Sequence, residues 1–181
     1  MYDRIAEKYA AAFAGRGRVC DGGCGPGHVG GYLAARGVDV FGLDLSPRMV
    51  ELARRLNPGI PFELGDMLAL ALPDTSLAGI AAFYSLIHLA RDTVARALGE
   101  LGARPGPGRP DADRVPRGLG PGPRGGLVRR EGLDARHALR PDEMRGYLEA
   151  AGFAVDDVTA RDPYDFEYPT RRVYAVATKR G

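Results

Sequence analysis

Three acids and a run of alternating glycines in the first 66 residues have the types and spacing needed to hold a nucleotide. The run V-C-D-G-G-C-G-P-G-H over 19–28 sets Asp21 at the end of a short apolar stretch and then repeats glycine at Gly23, Gly25 and Gly27. Glycine tolerates positive φ and lets a ligand approach the backbone closely. A helix that starts just beyond such a turn offers free N–H groups to an anionic group. The second acid, Asp44, closes V-D-V-F-G-L-D and lies 21 residues after Gly23. Roughly that separation, about 20 residues, brings a second strand's terminal acid to ribose hydroxyls in nucleotide-binding α/β folds. The third, Asp66, closes F-E-L-G-D. Three strand ends that each carry an acid make a ligand rim, a more specific pattern than the glycines alone.

The elements that must position this rim alternate strand and helix, which predicts a mainly parallel, doubly wound α/β sheet. Strands are expected over 18–21, 38–43, 61–65 and 77–83. The first helix turns Val29, Tyr32 and Leu33 to one face. Ser46 followed by Pro47 is an N-cap followed by a first-turn proline. The helix it opens repeats apolar residues at Met49, Leu52, Ala53 and Leu56. A later helix buries Val94, Ala97, Leu98 and Leu101. Another opens at Pro141, turns Met144, Tyr147, Leu148 and Ala151 inward and ends at Gly152. Two last strands fall over 153–158 and 172–178.

A chain of 181 residues suits one domain over 1–181, and 45% hydrophobic residues can supply its core. No stretch approaches the roughly 18 apolar residues of a membrane span, and no signal peptide opens the chain, so a cytoplasmic location is the default expectation. Cys20 and Cys24 are the only cysteines and read as reduced structural thiols. With three histidines in the chain, no metal site is expected. Residues 101–130 hold seven Arg against two Asp, while the whole chain carries only +2, so the remainder is net acidic. No nucleic-acid surface is expected outside that segment.

The same segment departs from the pattern around it. Eight Gly, six Pro and seven Arg fill 21 of its 30 positions. Such a composition cannot bury enough apolar surface to offset its ordering entropy, and proline removes ladder donors. Residues 101–136 therefore read as an irregular insertion, or as codons translated out of frame in a GC-rich gene.

The glycine run and the three acids resemble the class I S-adenosylmethionine-dependent methyltransferases, in particular the small-molecule branch of methyltransferase domains of type 11 or 25. The resemblance covers about 18–100 and resumes over about 139–178, where L-R-P-D-E-M, L-E-A-A-G-F and E-Y-P-T-R-R are similar to the family's usual tail. It implies a Rossmann-like fold, with the last two strands as an antiparallel hairpin and a fifth strand within the Gly/Pro/Arg segment, where only Arg104-Pro105-Gly106 resembles the family's turn. Y-D-R-I-A-E-K-Y-A over 2–10 resembles a shortened form of the family's opening helix, too short for Tyr2 and Tyr9 to reach the site.

For the site, the resemblance implies S-adenosyl-L-methionine as cofactor and a small-molecule acceptor. Gly23, Gly25 and Gly27 would turn beneath the methionine part, and Asp21 would support that loop and interact, directly or through water, with the amino end. Asp44 would accept from both ribose hydroxyls. Leu45 and Met49 would pack near the adenine. Asp66 would accept from the adenine amino group, with the Met67 N–H beside the ring. F-Y-S-L-I-H-L over 83–89 would border the active site, with Ser85 lining the methionine or acceptor pocket and His88 as general base.

Two alternatives stand. Gly25-x-Gly27-x-x-Gly30 also satisfies G-x-G-x-x-G, the signature of an NAD(P)-dependent oxidoreductase, although Asp21 precedes the loop and Asp66 has no standard role in that fold. The chain is alternatively a non-catalytic or damaged methyltransferase-like protein, if its Gly/Pro/Arg segment removes the fifth strand.

Overall fold

A computed structural model describes residues 10, 11, 13, 15–73, 76–103, 139–165 and 171–180. Two βα units and a further pair of strands build the first part of the chain. Strand β1 (Val19–Gly22) is followed by helix α1 (His28–Ala34), β2 (Val40–Asp44) by α2 (Pro47–Leu56), and β3 (Phe62–Leu64) leads on to β4 (Gly79–Ala81). All four strands are parallel, in the order β3-β2-β1-β4. Val19 lies beside both Val40 and Gly79, and Asp44 beside Leu64, so the ends of β1, β2 and β3 reach one edge of the sheet together. A 3₁₀ turn (Leu86–His88) and α3 (Arg91–Ala103) follow β4. Helix α4 (Pro141–Ala150) then leads into β5 (Phe153–Arg161), which pairs antiparallel with β6 (Arg172–Lys179). The family's fifth strand would fall in 104–138, outside the described residues. Among the described residues the parallel sheet ends at β4.

The strand pleat explains the two layers. Successive side chains of a strand point to opposite faces. Val19 joins Val40, Ala81, Leu33 and Phe13 on one side. Cys20 joins Phe41 and Ile80 on the other, where Val94, Leu98 and Leu101 of α3 meet Met144 and Leu148 of α4 and Phe153, Ala175 and Ala177 of the hairpin. Strands β1, β2 and β4 are buried on both faces almost throughout, whereas β3, at the sheet's edge, buries only Phe62. The burial of Val94, Ala97, Leu98 and Leu101 on α3, and of Met144 and Leu148 on α4, is the expected one. Gly152, at φ 85, ends α4 as expected.

Helix α2 departs from its expected face. Val50 and Ala53 are buried, with Cys24 and Phe62 against them, whereas Leu56 is 53% exposed and Met49 37% exposed. The 3.6-residue repeat fits either of two adjoining stripes. Phe62, entering from β3, selects the Val50/Ala53 stripe and rolls Met49 toward the sheet edge. Ser46 caps the helix with its Oγ accepting the Met49 N–H at 3.4 Å, and Pro47 occupies the first turn.

Candidate cofactor-binding site

The chain leaves β1 through a turn fastened on both sides. The Gly23 and Cys24 N–H groups both donate to the Leu43 carbonyl, at 2.8 and 2.9 Å, which locks the turn onto β2. Gly23 has φ 71, and a Cβ there would collide with the Ser85 Cβ and stand 3.1 Å from the Met67 Cε. That position must therefore be glycine, both for its dihedral and for the two side chains that close over it. The turn ends where the Gly27 N–H donates to the Cys24 carbonyl at 2.9 Å.

Asp21 lies under this turn, 1% exposed, and its Oδ2 accepts the Gly30 N–H of α1 at 3.0 Å. Burial pushes its carboxyl up to about 7, the Gly30 N–H opposes that rise, and the neighbouring Asp44 adds to it. The Gly31 N–H bonds the Gly27 carbonyl, so two of the first N–H groups of α1 are taken within the protein. The anion-binding helix end expected from the sequence is correspondingly reduced. Cys20 and Cys24 are free, buried thiols whose ionisation burial pushes up, which suits packing rather than nucleophilic chemistry.

Asp44 does more than its place at the end of β2 suggests. Its Oδ2 accepts the Gly25 N–H at 2.9 Å and its Oδ1 accepts the Ser46 N–H at 2.8 Å. One carboxylate thus ties the glycine turn to the start of α2. A carboxylate has about four lone-pair sites, so two remain for a ligand. Beside it, Leu45 is 62% exposed and Met49 is partly so, an apolar pair that the fold itself leaves uncovered. The Gly65 N–H donates to the Asp44 carbonyl at 3.1 Å, bringing the third acid alongside the second. Asp66 turns back on itself, its Oδ1 accepting the Leu68 N–H at 2.8 Å.

Ser85 follows Tyr84, whose φ of 55 is the one positive value at a non-glycine residue among those described. Its side chain is 7% exposed, and its Oγ has no hydrogen-bond partner among the described residues. A buried hydroxyl without a partner is costly. Here it lies against the glycine turn. His88, at the end of the 3₁₀ turn, is exposed, and its N–H donates to the Ser85 carbonyl at 3.2 Å.

The structure therefore brings Asp21, Gly23, Gly25, Gly27, Asp44, Met67 and Ser85 together, with Leu45, Met49 and Asp66 on the adjoining rim. Sequence reasoning missed Asn57 and Phe62, which pack behind the turn. Gly42 was a signal for Phe62. A glycine inside a strand marks a close approach, and a Cβ at Gly42 would collide with the Phe62 ring. Among the described residues no group of His, Cys, Asp and Glu could hold a metal ion, and no helix is long and apolar enough to cross a membrane.

Spare acceptor capacity on Asp44, the Ser85 hydroxyl and the exposed Leu45 and Met49 thus lie around the glycine turn. A parallel sheet with such an edge defines a Rossmann-like domain that binds a nucleotide cofactor. Comparison with known proteins narrows the class. Residues 19–108 match the family model of the methyltransferase domain. The chain is 39% identical over 92 residues to magnesium-protoporphyrin O-methyltransferase of Rhodobacter capsulatus, a match covering 48% of this chain and 40% of that protein. It is 47% identical over 55 residues to trans-aconitate 2-methyltransferase of Methylobacterium nodulans, covering 29% of this chain and 21% of the relative. The matches thus span less than half the length of these relatives. Among solved structures, a TehB-like SAM-dependent methyltransferase from Corynebacterium glutamicum superposes with a TM-score of 0.70 at 24% identity, covering 97% of this chain and 86% of that one. The chain belongs to the class I S-adenosylmethionine-dependent methyltransferases, whose cofactor is S-adenosyl-L-methionine, and the nicotinamide alternative gives way to that assignment.

Proposed function

We propose that the chain transfers a methyl group from S-adenosylmethionine to a small organic acceptor, acting as one domain. The observation that carries this reading is the placement of Asp44. It braces the glycine turn and keeps acceptor capacity beside the uncovered Leu45 and Met49. The names of the relatives, which concern magnesium-protoporphyrin and trans-aconitate, support a small-molecule acceptor.

The cofactor, when bound, supplies a sulfonium-activated methyl group. The protein's task is then to orient and to exclude water. In this reading Gly23, Gly25 and Gly27 hold the methionine part, with Asp21 behind them and the Ser85 hydroxyl gaining a polar partner there. Asp44 accepts from the ribose hydroxyls. Leu45 and Met49 cover one face of the adenine, Asp66 accepts from its amino group, and the Met67 N–H lies beside the ring. An imidazole nitrogen of His88 takes the acceptor's proton.

Calorimetric titration with S-adenosylhomocysteine, with NAD as control, tests this. Micromolar binding to the former alone is the expected result. Binding to NAD alone overturns the reading, and binding to neither favours a non-catalytic product. Asp44→Ala removes a charged acceptor from two hydroxyls and frees Gly25. Affinity for S-adenosylhomocysteine is expected to fall by more than about tenfold, a loss of over roughly 1.4 kcal/mol. Unchanged affinity would remove Asp44 from the site.

A further inference from the structure

The end of α2 carries a third fastening of the glycine turn, besides Leu43 and Asp44. Asn57 is the C-cap residue of that helix, with φ −131 and ψ 68, and its backbone N–H bonds the Ala53 carbonyl at 2.9 Å. A primary amide has two N–H donors on one nitrogen. The Asn57 Nδ2 places them on two carbonyls, Ala53 at 3.2 Å and Pro26 at 3.3 Å. Pro26 lies 31 positions earlier, inside the glycine turn.

The surrounding glycines are shaped to this amide. A Cβ at Gly27 would stand 2.8 Å from the Asn57 Nδ2 and 2.7 Å from the Phe62 Cζ, and a Cβ at Gly31 would collide with the Asn57 Oδ1. Both glycines therefore leave room for a side chain from a different helix. The turn is held at its start by the Leu43 carbonyl, at Gly25 by Asp44, and at Pro26 by Asn57. The last of these bonds sets where the Pro26–Gly27 peptide lies, and so the exit of the turn into α1.

We propose that Asn57 is a positioning residue for the methionine end of the cofactor, holding the exit of the glycine turn without touching the ligand. This rests on the proposed placement of that end over the turn. The adenosine end is read elsewhere, by Asp44, Asp66 and the opposite end of α2. Loss of the Asn57 amide therefore separates the two halves of the ligand energetically. A merely structural role would weaken both alike.

The test titrates the full chain and its Asn57→Asp and Asn57→Ala variants with two ligands, S-adenosylhomocysteine and methylthioadenosine, which lacks the amino-acid part. Melting without ligand is followed in parallel. Asn57→Asp keeps the volume but turns an acceptor toward two carbonyls. Asn57→Ala removes the donor without that repulsion and serves if the first variant does not fold. In a variant that melts cooperatively, affinity for S-adenosylhomocysteine is expected to fall about tenfold or more, while that for methylthioadenosine changes by less than about twofold, since the partly buried Pro26 carbonyl loses its donor and only the methionine end rests on that peptide. An equal loss for both ligands, no loss for either, or failure of both variants to fold overturns the proposal. Failure of the unaltered chain to bind either ligand overturns the site reading itself.

Discussion

Gly23→Ala is expected to abolish tight binding of S-adenosylhomocysteine while leaving a folded chain of lower stability. Two costs add at this position. A non-glycine residue held near φ 71 costs about 1–2 kcal/mol. The new methyl group also meets the Ser85 Cβ and the Met67 Cε, and overfilling a packed site costs about 1–3 kcal/mol more. Relief requires Ser85 or the turn to move, and the Gly23 and Cys24 N–H groups anchored on Leu43 move with the turn. Affinity is expected to drop by at least about a hundredfold, near 3 kcal/mol. Gly25→Ala is the matched control. Its φ is 52, but a Cβ there meets nothing within 4 Å, so only the backbone cost applies. Paired melts and titrations decide it. Equal effects of the two substitutions would show that the contact with Ser85 and Met67 is not what fixes glycine at position 23.

How much of this was legible in the sequence depends on the range of the interaction. The β1 turn, the Ser46-Pro47 helix start and the Gly152 helix end are set by local dihedrals and caps, and the structure has all three. The parallel order follows from alternating elements. The face of α2 was misread because two apolar stripes compete on it, and the choice belongs to Phe62, a residue outside the helix. The bond from Asn57 to Pro26 spans 31 residues and leaves no periodic trace. Its one local sign is the glycine pair at Gly27 and Gly31, which reads equally well as a turn requirement. Asp44 could be placed at the rim from spacing, but not its bond to Gly25, because that depends on how far the turn folds back over β2. The reading of 101–136 as irregular or out of frame concerns residues that, beyond Ala103, lie outside those described. Translation of the coding DNA in its other two frames tests it, and an apolar strand in one of them is the expected result.

Asp21→Asn is expected to raise stability increasingly as the pH climbs from 4 to 8, and to weaken cofactor binding above neutral pH. The Asp21 carboxyl titrates near its ordinary value, 3.8, in the unfolded chain and at about 7 in the folded one. Between those values the folded state holds the proton more tightly. Its stabilising contribution is therefore complete below about pH 4 and is lost as the pH rises through 7. A rise from 3.8 to about 7 corresponds to a ceiling on the order of 4 kcal/mol. Asparagine keeps an oxygen for the Gly30 N–H and has no charge to bury. At pH 8 its melting temperature should exceed that of the unaltered chain by up to roughly 8–16 °C, the full ceiling at about 2–4 °C per kcal/mol for a domain of this size. At about pH 5.5 the difference should shrink by roughly half, because the folded chain then holds the proton that the unfolded chain has released, and near pH 4 it should close. Affinity should move the other way. If the ionised carboxylate beneath the turn favours the ligand's ammonium end, the variant binds S-adenosylhomocysteine about tenfold more weakly at about pH 8 and almost equally at about pH 5.5, where Asp21 in the folded chain is protonated. Every other titrating group is common to both proteins, so the difference between their pH profiles isolates Asp21. Identical melting profiles would place its carboxyl in the ordinary range. A stability gain at pH 8 without a loss of affinity would assign the buried charge to neither loop nor ligand, and leave Asp21 as an acceptor for Gly30 alone.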